Sequence, residues 1–137
     1  MDLKPKMRPV RVAVIGGGAS GCMAAITAAQ AGADVHIFEK NEKPGKKLYA
    51  TGNGRCNLTN LHMDDSCYHT RTADKNGSSL IHSAIERYSP ADQIRFFADL
   101  GVPVYDRDGY VYPRTNQAQT VVRALEKRIA ALGIRVH

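Results

Sequence analysis

Gly16, Gly18 and Gly21 stand in GxGxxG spacing, and Glu39 follows the last of them by 18 residues. Glycines at this spacing can cradle a diphosphate when they leave a strand and open a helix. That context is present: the apolar run Val12 to Ile15 precedes them and an Ala-rich stretch follows. Gly16 allows the sharp turn out of the strand, Gly18 lets a pyrophosphate come close to the backbone, and Gly21 lets the helix lie tight on the strands. The N–H groups around Ala19 and Ser20 lack intrahelical partners and sit at the positive end of the helix dipole, so an anion fits there. Glu39, closing the second strand, can accept hydrogen bonds from both hydroxyls of an adenosine ribose. Its charge repels a ribose 2′-phosphate, which argues against NADP in the adenosine half. The bland alternative is a Gly-rich turn of any parallel α/β protein; the helix pattern and the terminal acid weigh against it.

A second compact loop follows the acid. It runs through Pro44-Gly45-Lys46-Lys47 to Thr51-Gly52-Asn53-Gly54-Arg55-Cys56-Asn57. An NAD domain needs only the first turn and the acid. A longer dinucleotide has a far half that must also be held. Small residues let backbone approach a flat ring system, and the freed N–H groups can bond ring heteroatoms. Lysine charge offsets a diphosphate. A surface Gly loop without function is the competing explanation. Cys56 in this loop is either a small packing residue or a redox thiol.

The elements that must carry these residues read as a parallel α/β unit. Strand one covers about Arg11 to Ile15, the first helix Ala19 to Ala31, and strand two Asp34 to Phe38. Ala25, Ala28 and Gly32 form the helix side expected to approach the sheet, and Val35 and Ile37 alternate with His36 and Phe38. Residues 1–10 read as a polar, frayed lead-in containing Lys4 and Lys6. Residues 61–77, with Asp64, Asp65, Asp74, Asn76 and Gly77, read as a surface loop. A helix over Ser79 to Tyr88 follows. Ser89-Pro90-Ala91-Asp92 then starts another, which buries Ile94, Phe97 and Leu100 and stops at Gly101. Val102 to Tyr105 and Tyr110 to Tyr112 form a hairpin around Asp106 to Gly109. Thr115 or Asn116 caps a last helix with the stripe Val121, Val122, Leu125, Ile129 and Leu132. Ile134 to His137 begins a third parallel strand beside strand two. A strand that begins as the sequence stops reads as the N-terminal piece of a longer protein whose domain continues past residue 137.

At 137 residues and 43% apolar content the chain suits one globular domain. No apolar run reaches the roughly 20 residues that span a bilayer, and no signal-peptide pattern precedes strand one. Three cysteines without metal or CxxC spacing point to a reducing, cytoplasmic setting and to no metal. Cys22 reads as packing. The net charge of +6 is scattered apart from Lys40, Lys43, Lys46 and Lys47. A nucleic-acid surface would suit such a cluster, but the aromatic interleaving that stacks bases is absent from it, and an anionic cofactor beside these lysines explains the local excess equally well. His62, His69 and His82 lie in or after polar loops and read as solvated, and no residue presents itself as a catalytic acid or base.

The stretch GGGASGCMAA…VHIFEK…GKKLYATGNGRCNLTN resembles the N-terminus of the HI0933-like, or BaiN-like, bacterial flavoproteins. GYVYPRTNQAQTVVRAL resembles that family's Gly-Arg-Val-Phe-Pro segment and the helix after it, with Tyr110 where the family usually has Arg. The resemblance runs from about Val10 to the end. It implies a Rossmann-like FAD/NAD(P)-binding α/β fold with a parallel sheet of order 3-2-1. Residues 1–60 would be the βαβ unit with its second Gly-rich loop, 61–115 a helical and hairpin insertion, and 116–137 the return helix and third strand. It also implies non-covalent FAD. Gly16, Gly18, Ala19, Ser20 and Gly21 would hold the pyrophosphate and Glu39 the ribose. Lys40 and Lys47 would flank the diphosphate, with Thr51, Gly52, Asn53, Gly54, Arg55, Cys56 and Asn57 near the ribityl chain and flavin. Arg55 would then stabilise a reduced ring or anchor the loop. Family members include aminoacetone oxidase-like proteins and reductases of steroid-type enones. The implied function is an oxidoreductase acting on a small organic substrate, with NAD(P)H or O2 as the other partner. A flavin-dependent RNA modifier and a non-catalytic dinucleotide module are the rival readings.

Overall fold

The computed structural model describes residues 8–68 and 77–137. Lys4, Lys6, His69, Asp74 and Asn76, and part of the loop expected over 61–77, lie outside the described residues. Among the described residues no helix is long and apolar enough to cross a membrane. The chain divides into two units. One holds the residues up to Tyr49 and from Val122 onward; the other runs from Ala50 to Val121.

The first unit carries a parallel sheet. Strand β1 (Arg11–Ile15) pairs with β2 (Asp34–Phe38), which pairs with β6 (Arg135–Val136), giving the order β1-β2-β6. This is the expected 3-2-1 arrangement, with the C-terminal strand parallel to strand two. Helix α1 (Ala19–Gln30) joins β1 to β2 and buries Cys22, Ala25 and Ile26. Val35 and Ile37 of β2 are fully covered, whereas His36 and Phe38 face outward, so the predicted alternation is present. Gly32 has another task from the one expected. It is exposed, with φ of +89°, and it ends the helix rather than packing on the sheet. Val122, Leu125 and Ile129 of helix α4 (Ala118–Ala131) and Ile134 after it complete the buried apolar set of this unit. Asp34 at the start of β2 accepts from Arg135 of β6 and lies 3.6 Å from Arg11. This charge pairing helps to fix the strand register.

The second unit is built on an antiparallel sheet of order β3-β5-β4: β3 (Thr59–Asn60), β5 (Tyr110–Pro113) and β4 (Val104–Arg107). The predicted hairpin is present and tighter than expected. Arg107 pairs with Tyr110, leaving the two-residue loop Asp108-Gly109 with φ of +52° and +82°. Two positive φ values define a type I′ turn, whose twist matches that of the strands. The third strand, Thr59–Asn60, was expected as loop; it gains its ladder from β5. Helix α2 spans Gly77–Arg87 and α3 spans Pro90–Asp99. Ser89 and Asp92 form the predicted capping box, each side chain accepting from the other's backbone N–H. Ile94, Phe97 and Leu100 are half-buried rather than buried. Helix α4 begins at Ala118, and Asn116 has φ of +54°, whereas an N-cap residue is extended. The residue before the helix is Gln117, so neither Thr115 nor Asn116 stands at the cap position. Thr115 Oγ1 instead lies 2.7 Å from Thr120 Oγ1.

Candidate dinucleotide site

The first Gly turn has the geometry its spacing predicts. Gly16 has φ of +95° and its N–H donates to Phe38 O at 2.8 Å, so the chain leaves β1 still tied to β2. A Cβ on Gly21 would stand 1.9 Å from Gly16 O, which forbids any side chain there. A Cβ on Gly18 would meet nothing within 4 Å, so the backbone is open on that side. Gly18 is the extended N-cap of α1 and lends it no side-chain hydrogen bond. Cys22 N–H, donating to Gly18 O at 2.9 Å, begins the helical ladder. The N–H groups of Ala19, Ser20 and Gly21 therefore lie before that ladder starts. Ala19 and Ser20 are exposed. An open backbone, free helix-start donors and a glycine without room for a Cβ fit a diphosphate.

Glu39 stands at the lip of this turn. Its Oε2 accepts from Gly17 N–H at 2.6 Å, and its Oε1 accepts from Asn41 N–H at 2.8 Å and from the Asn41 side-chain amide at 2.5 Å. The Asn41 backbone donor, then that of Gly17, then the Asn41 amide hold the Glu39 carboxyl below its usual range. The charged form is therefore the one the turn is built around. Gly45 N–H donates to Gly17 O at 2.7 Å, so the Pro44-Gly45 corner is pinned to the same residue. A Cβ on Gly17 would come within 3.0 Å of Pro44 Cβ. Sequence reasoning missed Gly17 and Asn41, and it named Pro44-Gly45 without its tie to the first turn. The signals available were the third glycine of GGG and an Asn two residues past the acid. Lys40 and Lys47 are exposed on either side of the corner.

The second Gly-rich segment belongs to the other unit from Ala50 onward. Lys46–Gly54 runs as short 3₁₀ turns broken at Thr51, Gly52 and Asn53. Gly52, Asn53, Gly54 and Cys56 all have positive φ, between 54° and 81°. Two of these are not glycine, so the loop holds backbone conformations that ordinary residues avoid. A Cβ on Gly52 would lie 2.6 Å from Asn57 N. Arg55 lies with its guanidinium carbon 5.0 Å from the centroid of the Tyr112 ring, and its Nε donates to Gly52 O at 3.3 Å. Among the described residues Asn57 Oδ1 is buried with no hydrogen-bond partner. Orphaned buried acceptors are rare and call for a donor from outside the chain.

The cysteines divide by burial. Cys22 donates to Gly17 O at 3.4 Å, and burial first, then the Glu39 charge, pushes its thiol up to about 11. Burial raises the Cys56 thiol as well, against a lowering hydrogen bond with Thr51. Both are small packing residues by this geometry. Cys67 is exposed. Among the described residues no group of His, Cys, Asp and Glu could hold a metal ion. His62 and His82 are exposed or bordering solvent-facing side chains, as expected.

A parallel β-α-β unit with a glycine turn and an acid at the second strand's end defines a Rossmann-type domain. The chain belongs to the HI0933-like protein Rossmann domain family, which it matches over residues 10–137. It is 41% identical over 129 residues to a 3-dehydro-bile acid delta(4,6)-reductase of Clostridium scindens, covering 93% of this chain and 30% of that protein. It is 27% identical over 123 residues to a ribosomal RNA dihydrouridine synthase of Haemophilus influenzae, covering 90% and 29%. The corresponding synthase of Escherichia coli is 31% identical over 94 residues, covering 69% and 22%. The chain thus spans less than a third of the length of these relatives. In fold it is similar to Thermovibrio ammonificans THI4, with a TM-score of 0.57 and 18% identity over 94% of this chain and 38% of that one.

Proposed function

We propose that the chain is the FAD-binding part of a flavin-dependent oxidoreductase acting on a small organic substrate. The observation that carries this reading is the Gly16–Gly21 turn, open at Gly18 and closed at Gly21, with the ionised Glu39 held at its lip. Ala19 and Ser20 N–H groups would bind the pyrophosphate, with Lys40 and Lys47 offsetting its charge. Glu39 has four lone-pair positions and uses three, with Gly17 and Asn41, so it keeps capacity for a ribose hydroxyl. Residues Thr51 to Asn57 would hold the flavin half, with Asn57 Oδ1 as an acceptor awaiting a donor and Arg55 balancing negative charge. Bound FAD would supply hydride or electron transfer between NAD(P)H or O2 and the substrate. The reductase relative supports a small-molecule substrate.

The test is spectroscopic. The purified whole protein should be yellow and should release FAD, not FMN, on heating. A colourless protein that cannot be loaded with FAD would sink the reading. The two synthase relatives favour a second reading, in which the same flavin domain serves an RNA substrate. RNA that co-purifies, and that is released with a steep salt dependence, would select it.

A further inference from the structure

The three-stranded sheet of the second unit has a covered face and an open one. Thr59, Val111 and Pro113 are buried. Register sets Arg107 opposite Tyr110 and Tyr105 opposite Tyr112. Strand alternation then puts Tyr105, Arg107, Tyr110 and Tyr112 together on the opposite face. The Tyr105 and Tyr112 rings stand 6.1 Å apart, and Arg55 lies over Tyr112. Arg55, Arg107, Asp108, Tyr110 and Tyr112 line a cavity of about 300 Å³. Tyr110 as a residue is 48% exposed. Two guanidinium groups against one carboxylate leave a surplus positive charge. A guanidinium binds carboxylate or phosphate through paired N–H groups, and a tyrosine face receives a flat ring. The volume is at the small end of small-molecule sites, so it suits one ring system rather than the path of a strand.

We propose that this cavity binds a flat organic anion, an unsaturated ring carrying one carboxylate or phosphate. The assignment deepens the oxidoreductase reading and rests on it for calling that anion the substrate. Arg107 and Arg55 hold the anionic group, and Tyr110 and Tyr112 flank the ring.

The experiment is calorimetric titration of the flavin-loaded whole protein with 2-naphthoate, 2-naphthol and uridine 5′-monophosphate. Naphthoate should bind at least about tenfold more tightly than the neutral naphthol, an advantage that added salt erodes. Arg107→Ala should cost about tenfold in naphthoate affinity. Tyr110→Ala should cost about fivefold, with Tyr110→Phe restoring it. Uridine monophosphate binding more tightly than naphthoate would support the same chemistry with a nucleotide as its source. Equal affinity for naphthol and naphthoate, no binding of either anion, or binding unchanged by both alanine variants would overturn the proposal. Flavin absorbance read in the same samples separates the two claims. Naphthoate binding by a protein that takes no FAD removes the oxidoreductase reading and keeps the site; a yellow protein indifferent to anions does the reverse.

Discussion

Glu39 already holds three donors, two from Asn41 and one from Gly17, so its position is set before any ligand arrives. Glu39→Gln keeps the size and removes the charge. If Glu39 binds the adenosine ribose, the variant should lose about 10- to 100-fold in FAD affinity, the range for hydrogen bonds to a charged group, and little for FMN. Titration with each flavin checks this, and equal losses would refute the ribose assignment. The same carboxylate links stability to pH. Its folded pKa lies below the ordinary glutamate value, so its contribution is complete above that value and is lost as pH falls through the folded one. The stability gap between wild type and Glu39→Gln should therefore be widest near neutrality and close in acid. Thiol chemistry follows burial in the same way. Iodoacetamide at neutral pH should label Cys67 and spare Cys22 and Cys56 in the folded protein. Labelling of Cys56 at the rate of Cys67 would reopen a redox role for it.

At the scale of elements, the parallel unit was legible in the residues. Arg11–Ile15 and Asp34–Phe38 have the predicted bounds because strand, glycine turn and helix signals follow one another without a gap. The Asp108-Gly109 hairpin and the Ser89 cap were legible for the same local reason. Thr59–Asn60 was not, since two residues carry no period and owe their strand to β5, some fifty positions on. Gly32 was misplaced because a glycine in phase with a helix face looks the same whether it packs or ends the helix. Of the site, the glycines were visible in their spacing. The Gly17–Glu39 bond was not, being made between residues 22 apart. Gly21, at the start of α1, has no room for a side chain. Gly21→Ala would drive a methyl group into the Gly16 carbonyl, backbone against backbone. It should lower stability by about 1–3 kcal/mol, read as a shifted denaturation midpoint. A neutral result would mean that the turn opens without cost.

On the scale of the whole molecule, each of the two units has its own buried apolar set. Domains of this size hold only about 5–15 kcal/mol in reserve. Ile37 has no exposed surface. Ile37→Ala should therefore remove about 2–5 kcal/mol, a large share of the reserve, and denaturant unfolding would show it. A loss below 1 kcal/mol, roughly the scale of a single methylene, would mean that the sheet does not depend on this residue. Positive charge is also a property of the whole, at +6, and makes ionic strength a necessary control in any binding measurement.

The left-handed pair Asn53-Gly54 has a bearing on how long a sample lasts. Asn followed by Gly is the sequence most prone to deamidation, in which the glycine nitrogen attacks the side-chain amide and ammonia leaves. The attack needs the chain to swing round the asparagine, and the loop holds Asn53 at φ +54° and ψ +48°, turned away from that path. Cys56 N–H, bonded to Thr51 O across the loop, resists the swing. Deamidation at Asn53 should therefore be slow in the folded protein and fast once it is unfolded in mild alkali, as peptide mass mapping would reveal. Equal rates in both states would show that the loop opens freely. Where the reaction does occur, it puts a carboxylate beside Arg55 in the glycine loop, and stored protein would become a mixture of two charge forms.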